Sequence, residues 1–452
     1  MNSALGYLTS LFKKGHERSV KAKRNILASF LVKGLSIAIS LILVPLTIHY
    51  INPSRYGIWL TLSSIVGWLS FFDIGFGNGL RNKFAISVAK GEHEEARTYV
   101  STTYAMLSII IAGMLIAFFC INPFLNWSKL LNTPSQMAGE LSLLALIVFV
   151  FFCLQFQLQL ITTVMTANQQ PAKSSFFNFL GSFLSLAVIF ILTKTTSGNL
   201  VYLGIAFSAA PVVVLIFSSL WYYTHDYRMY APSFKYVKLS YGHDLMNLGA
   251  NFFLLQIAGV ILYETNNIII AQLFGPAEVT PYNIAYKYFS IVTMLLGTIM
   301  LPFWSAYTEA WTKNDVDWIK DSIKKLKMLW LLITIVTVGM LIFSNFFYGL
   351  WVGKAIKVPM SISIAMALYV VMNGWNSIYS LFLNGIGKIK LQLYGSVLGM
   401  IINVPLSIYF GRLFGIAGVL LATVILCSIN MILEPVQVNK LLNNTAKGIW
   451  NK

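Results

Sequence analysis

Hydrophobic residues in this chain run in long blocks broken by short polar gaps, without the strict alternation of a half-buried strand. A helix needs about 20 predominantly apolar residues to cross the hydrocarbon of a bilayer. Twelve blocks meet that need, at 25–51, 57–80, 98–121, 138–167, 174–193, 200–223, 245–273, 280–308, 327–350, 359–384, 389–410 and 414–438. The second carries several polar residues and the eighth is interrupted by them, so these two are the least typical. Turn-forming residues separate the blocks: Asn52-Pro53-Ser54, Gln170-Pro171, Gly275-Pro276 and Asn384-Gly385-Ile386-Gly387. No window alternates as a barrel strand does. The pattern predicts an all-α polytopic membrane protein of about twelve transmembrane helices.

The leading segment, 1–24, lacks the short apolar core and small-residue cleavage site of a signal peptide. Leu5, Leu8, Leu11 and Phe12 stand at helical spacing ahead of Lys13 and Lys14. That spacing fits either a short interfacial helix or a frayed tail.

The two halves of the chain repeat each other. Pro53 and Pro276 are 223 positions apart, as are Lys90 and Lys313. Gly113-Met114-Leu115 recurs as Gly339-Met340-Leu341, Asn168 corresponds to Asn384, Lys173 to Lys388 and Gly181 to Gly395. The slow drift of these offsets is what duplication with small insertions leaves. Six spans per half is an even number, so both halves share one orientation, as in transporters built from parallel repeats. The expected organisation is a basic N-terminal segment 1–24, a first lobe 25–223, a linker 224–244, a second lobe 245–438 and a tail 439–452, with a central cavity between the lobes.

Ionisable side chains inside hydrocarbon cost about 2.5–3.5 kcal/mol each on insertion scales, so they face a cavity or pair. Lys33, Asp73, Glu264 and Lys287 lie within the first, second, seventh and eighth blocks. At 1.5 Å per residue, Lys33 and Asp73 fall in one half of the membrane thickness and Glu264 and Lys287 in the other. Lys33, Ser36, Ser40 and Thr47 draw a polar stripe down the first span. Asn251, Gln256, Glu264 and Asn267 draw another down the seventh, and Tyr282, Asn283, Lys287 and Ser290 a third down the eighth. Two readings stand side by side: a hydrophilic cavity, or two structural ion pairs, Lys33–Asp73 and Glu264–Lys287. In a cavity, the cations suit an anionic head group such as a pyrophosphate, and the carboxylates suit a coupling proton or sodium ion. Gly75, Gly77 and Gly79 follow Asp73 in a polar break of the second span, and Pro45 and Pro302 fall within the first and eighth. These positions fit hinges, and the glycines fit close helix packing equally well.

Composition changes the picture in one respect. The chain has 452 residues, 57% hydrophobic and 10% charged, yet its formal net charge is +17. The apolar excess excludes a disordered, collagenous or disulfide-built chain. The basic excess invites a nucleic-acid reading, which the positions of the charges remove. Of the 32 Lys and Arg, 24 fall in the termini and alternate loops on one side, six on the other, and two within spans. By the positive-inside rule both termini face the cytoplasm. No G-x-x-x-x-G-K-[ST] loop appears. Cys120, Cys153 and Cys427 lie in apolar blocks, and the five His are scattered without ligand spacing. No metal or cofactor is expected beyond a coupling ion. An enzyme is not expected either, since a membrane-embedded glycosyltransferase or ligase would need a larger outer loop.

Tyr56-Gly57-Ile58-Trp59-Leu60, then Phe72-Asp73-Ile74-Gly75-Phe76-Gly77-Asn78-Gly79-Leu80-Arg81, then Ala89-Lys90-Gly91 resemble the signature of bacterial polysaccharide flippases. Leu383-Asn384-Gly385-Ile386-Gly387-Lys388, Asn403-Val404-Pro405 and the run Phe414 to Thr423 resemble that family's second-half pattern. The likeness extends from about residue 20 to 440. It places the chain beside the O-antigen and capsule oligosaccharide group of the multidrug/oligosaccharidyl-lipid/polysaccharide exporter superfamily. The resemblance implies two six-helix lobes around a cavity, rocking between inward- and outward-open states. The implied cargo is an undecaprenyl-pyrophosphate-linked oligosaccharide for O-antigen, lipopolysaccharide or capsule synthesis. It also implies residence in the bacterial inner membrane and a polysaccharide polymerase as a candidate partner. Lys33, Arg81 and Lys287 are the candidates to meet the pyrophosphate. The peptidoglycan-precursor flippases have fourteen spans as a rule, which disfavours them here. The rival is a multidrug and toxin extrusion antiporter, for which Glu264 would serve a cationic substrate. The cavity candidates include at least as many bases as acids, which disfavours that cargo.

Overall fold

The computed structural model describes residues 17–68, 76–168, 170–242 and 265–451. Asp73, Gly75, Glu264, Asn251, Gln256 and the leading apolar segment 5–12 lie outside the described residues. Among those described there is no strand. Eight helices among the described residues are long and apolar enough to cross a membrane.

Three of the long helices start where a side chain accepts from their first backbone N–H groups: Asn52, Asn199 and Asp315 are the caps. Helix α1 spans Glu17–Ile51 and α2 Pro53–Gly67. Between them Asn52, at φ 73°, accepts the Arg55 N–H at 3.0 Å, and Pro53 opens the helix without needing a donor. Helices α3 (Phe76–Lys90), α4 (His93–Ile121), α5 (Ala138–Leu158), α6 (Leu160–Ala167), α7 (Pro171–Thr195) and α8 (Leu200–Thr224) follow. Residues 265–274 are helical. Then come α9 (Pro276–Thr312), α10 (Val316–Ile342), α11 (Ser344–Trp351), α12 (Met360–Ile386), α13 (Lys390–Phe414) and α14 (Ile416–Leu442). Asp315 caps α10 by accepting the Trp318 N–H at 3.1 Å. Gly387, at φ 73°, ends α12 in the left-handed conformation.

The structure differs from the sequence pattern in several places, among them the ninth block, expected at 327–350, which starts at Val316 and divides into α10 and α11 at Phe343. The polar residues that interrupt the eighth block do not interrupt its helix. At 37 residues, α9 is continuous and about 55 Å long, well beyond the hydrocarbon thickness. The block at 138–167 divides into α5 and α6 around Gln159, whose carbonyl is taken by the Thr162 hydroxyl at 2.7 Å. Helix α3 runs ten residues past the expected end at Leu80. Phe76, Leu80 and Phe84 recur every four residues and are all buried, so an amphipathic face carries the helix on through Arg81, Lys83 and Lys90.

The chain forms two compact units. The first takes α1, α3 to α8 and the chain after α8 as far as residue 242. Its core joins Phe76, Leu80 and Phe84 of α3 to Tyr99, Val100 and Leu107 of α4 and Ile161, Val164 and Met165 of α6. The segment after α8 is docked on α4 by polar contacts. Arg97 donates to the Ala231 carbonyl at 2.9 Å and lies over the Tyr236 ring. Ser233 and Lys238 donate their backbone N–H groups to Ser101 and Thr102. Tyr227, just past α8, gives its hydroxyl proton to Gln170 at 3.1 Å, and burial holds this phenol above its ordinary pKa. On α7, Gly181 lies against Pro211 of α8. A Cβ there would come 3.1 Å from the proline Cα, so the repeat landmark at 181 has a packing reason.

The second unit takes α2, the segment 126–138, residues 265–274 and α9 to α14. Thus α2, from the first half of the sequence, groups with the helices of the second. It packs along α9, with Gly57 directly against the Pro276 carbonyl, where no side chain fits. The core gathers Leu296, Met300 and Tyr307 of α9, Ile319 and Leu326 of α10, Ile378 and Phe382 of α12, and Val438 and Leu441 of α14. Gly418 of α14 lies against the Phe410 carbonyl of α13 in the same manner. Because backbone is the obstacle, Gly418→Val is expected to cost about 3 kcal/mol, the upper end of ordinary overpacking. The check is a lower apparent Tm in detergent and less folded protein per membrane.

Candidate functional site

The most developed polar feature lies where α2, residues 265–274 and α9 meet. Asn283 of α9 donates from Nδ2 to Asn267 Oδ1 at 2.7 Å, and Asn267 donates from Nδ2 to Ser64 Oγ at 2.6 Å. All three side chains are buried. Two further contacts stitch the seam. The Thr280 hydroxyl donates to the Pro53 carbonyl at 2.7 Å, and Asn266 donates to the Tyr282 hydroxyl at 3.4 Å. The Asn266 Oδ1 and Thr265 Oγ1 atoms have no hydrogen-bond partner among the described residues. Buried polar atoms are almost always satisfied, so two unsatisfied acceptors beside a chain of three amide and hydroxyl groups mark a site with capacity left over. Outside this cluster, Asn132 and Gln272 cross-link the segment 126–138 to residues 265–274, donating to the Ala271 and Lys129 carbonyls at 2.9 Å each.

Lys287 lies one turn beyond Asn283 on α9 and is half-buried. Ser290, the next member of that stripe, donates its hydroxyl to the Lys287 carbonyl at 2.9 Å. Of the four residues of that stripe, Ser290 is thus turned to its own helix, while Asn283 and Tyr282 are buried and engaged with Asn267 and Asn266.

The stripe on α1 resolves similarly. Ser36 and Thr47 donate to the carbonyls of Val32 and Leu43, four residues earlier, at 2.8 and 2.6 Å. Ser40 and Lys33 are half-buried. Pro45 sits inside α1, which continues through it to Ile51. The backbone of α9 is likewise helical at Pro302. Arg81 is exposed on α3, while Gly79 and Leu80 beside it are buried and Gly77 is half-buried. The structure thus brings Asn267 and Asn283 into direct contact. Lys33, Ser36, Ser40 and Arg81 belong to the first unit, on α1 and α3.

Two residues of interest escaped sequence reasoning. Ser64 ends the amide chain, and only its position among apolar neighbours in the second block could have flagged it. Glu434 of α14 is only 4% exposed, and its Oε2 has no hydrogen-bond partner among the described residues. Its signal was plain: an acid inside the twelfth block, just before Pro435.

Long apolar helices define a multi-pass, helical membrane protein built of two compact units. The solved structures it resembles agree. It superposes on an inward-facing MATE family transporter of the MOP superfamily with a TM-score of 0.72, at 14% identity over 93% of this chain and 95% of that one. An outward-facing MATE transporter gives 0.67, at 15% identity over 94% and 97%. The family follows from sequence: residues 22–303 match the model described as "Polysaccharide biosynthesis protein", and the chain belongs to that family. A Yersinia pseudotuberculosis protein named for O-antigen export is 20% identical over 79% of this chain and 81% of its own. A Salmonella typhimurium LT2 protein named as an O-antigen transporter is 23% identical over 88% and 91%.

Proposed function

We propose that this protein is a flippase that carries a polyprenyl-pyrophosphate-linked oligosaccharide across the bacterial inner membrane by alternating access, for O-antigen or related polysaccharide synthesis. The observation that carries the proposal is membership of the polysaccharide biosynthesis family, joined by relatives named for O-antigen transport over most of their length. The chain makes and breaks no bond in this reading. It supplies a polar route for a head group that hydrocarbon would exclude. Lys33, Arg81 and Lys287 meet the pyrophosphate, and Asn267 and Asn283 offer neutral hydrogen bonds to it or to sugar hydroxyls. The seam of α2 on α9 closes one end of the route and parts when the cargo leaves. Both termini lie on the cytoplasmic side, as the distribution of bases argues. A polysaccharide polymerase receives the delivered unit.

The test is reconstitution of the purified protein in vesicles with a fluorescent polyprenyl-pyrophosphate oligosaccharide in the inner leaflet. Transfer to the outer leaflet is expected, with no transport of the lipophilic cation ethidium. Ethidium transport without glycan-lipid transfer would replace this reading by that of a cation-extruding antiporter.

Coupling is assigned to Asp73 and Glu264, with a proton or sodium ion as the coupled species. Glu264→Gln removes an ionisable group while keeping its shape. The rate of transfer should then lose most of its dependence on an imposed proton or sodium gradient, and an unchanged dependence would end that role.

A further inference from the structure

A second polar feature has no part in the proposed cargo route. A cavity of about 530 Å³ opens between the start of α10 and the end of α14, lined by Lys320, Lys324 and Lys327, by Tyr379 of α12, and by Pro435 and Asn439 of α14. The three lysines are spaced four and three residues apart, so they share one face of α10. No carboxylate pairs with any of them among the described residues, whereas neighbouring Lys325, on another face, pairs with Asp321 at 2.7 Å. Lys327 is also held by aromatic faces, its ammonium 5.7 Å from the Tyr379 ring centre and 5.8 Å from that of Trp375. The Trp375 ring is fixed in turn, donating its indole N–H to the Met431 carbonyl of α14 at 3.1 Å.

What lies along the same two helices decides the ligand. On α10 the lysine face continues as Met328, Leu331 and Ile335, which are 69, 55 and 62% exposed. On α14 the face of Asn439 continues as Val436, Ile432 and Ile429, with Ile432 68% exposed. The cationic hollow therefore stands at the head of two apolar tracks that run into the membrane span. A free anion needs only the hollow; an amphiphile uses both. Basic pockets between transmembrane helices at the membrane surface bind anionic lipid head groups on the same physical grounds.

We propose that this hollow is a binding site for the phosphodiester of an anionic phospholipid, whose acyl chains lie along the exposed faces of α10 and α14. Lys320, Lys324 and Lys327 supply the charge, and Trp375 and Tyr379 orient Lys327. The site is independent of which cargo is carried.

The experiment uses the full chain purified in detergent and native mass spectrometry with phosphatidylglycerol, phosphatidylcholine and inorganic pyrophosphate as probes. Phosphatidylglycerol is expected to bind at least about tenfold more tightly than phosphatidylcholine. Each Lys→Gln change at 320, 324 or 327 should weaken it roughly fivefold, and the triple variant on the order of a hundredfold. K325Q should stay within about twofold of the unaltered chain, because Lys325 is already paired and off this face. These lysines are exposed, and an unchanged gel-filtration profile will show that the triple variant folds. Undiminished phosphatidylglycerol binding by the triple variant would overturn the proposal. Displacement of phosphatidylglycerol by equimolar pyrophosphate would overturn it too, by showing a site for a free anion.

Discussion

Lys33→Ala and Lys287→Ala are each expected to reduce surface glycan display by more than about tenfold, with the protein present in the membrane at its usual level. A charged hydrogen bond to a phosphate oxygen contributes about 1.5–3 kcal/mol, or one to two decades in affinity. Each lysine is half-buried, on α1 or on α9 one turn from the buried Asn283, where an ammonium can reach polar space while its stem packs. Arginine at either position keeps the charge and should restore a large part of the display. Glycan display at the usual level in both alanine variants would remove the lysines from the cargo route. Equal loss of protein and display would assign them to folding instead.

The second large effect concerns the seam of α2 on α9. With Cys120, Cys153 and Cys427 replaced, cysteines at 64 and 267 should form a disulfide on oxidation, because the side chains they replace are in direct contact. Glycan-lipid transfer is expected to fall at least about tenfold when the bond forms and to recover on reduction, since alternating access requires one packed face to part. The reduced protein is its own control for loss of the amide chain. Transfer that continues with the disulfide fully formed would show that this seam stays closed throughout the cycle. The seam has the character such an element requires. Gly57 brings backbone against the Pro276 carbonyl, so contact is close, while the buried hydrogen bonds are few and separable.

Much of the architecture was legible along the chain because membrane helices are selected by local properties. A run of about 20 apolar residues has few alternatives in hydrocarbon, since every backbone polar group must be satisfied within the segment. One helix start was legible for a similar reason: Asn52-Pro53 supplies the cap of α2 within three residues. Reading failed where the decisive quantity was an average. Mean hydropathy ends the second span at Leu80, yet the four-residue spacing of Phe76, Leu80 and Phe84 carries α3 on to Lys90. The stripe on α1 was legible as a pattern but not in its chemistry, because Ser36 and Thr47 give their hydroxyls to their own helix.

By itself, then, the sequence determined a helical membrane protein, its duplicated plan, the family it resembles and the amides worth watching at 267 and 283. Only the tertiary structure decided that Asn267 meets Ser64 across 203 positions, that α2 groups with α9, that Glu434 is buried, and that three lysines of α10 share a hollow with α14. The reason is physical. Insertion into a bilayer is governed segment by segment, whereas partners for buried polar groups are chosen in three dimensions, where sequence distance carries no information.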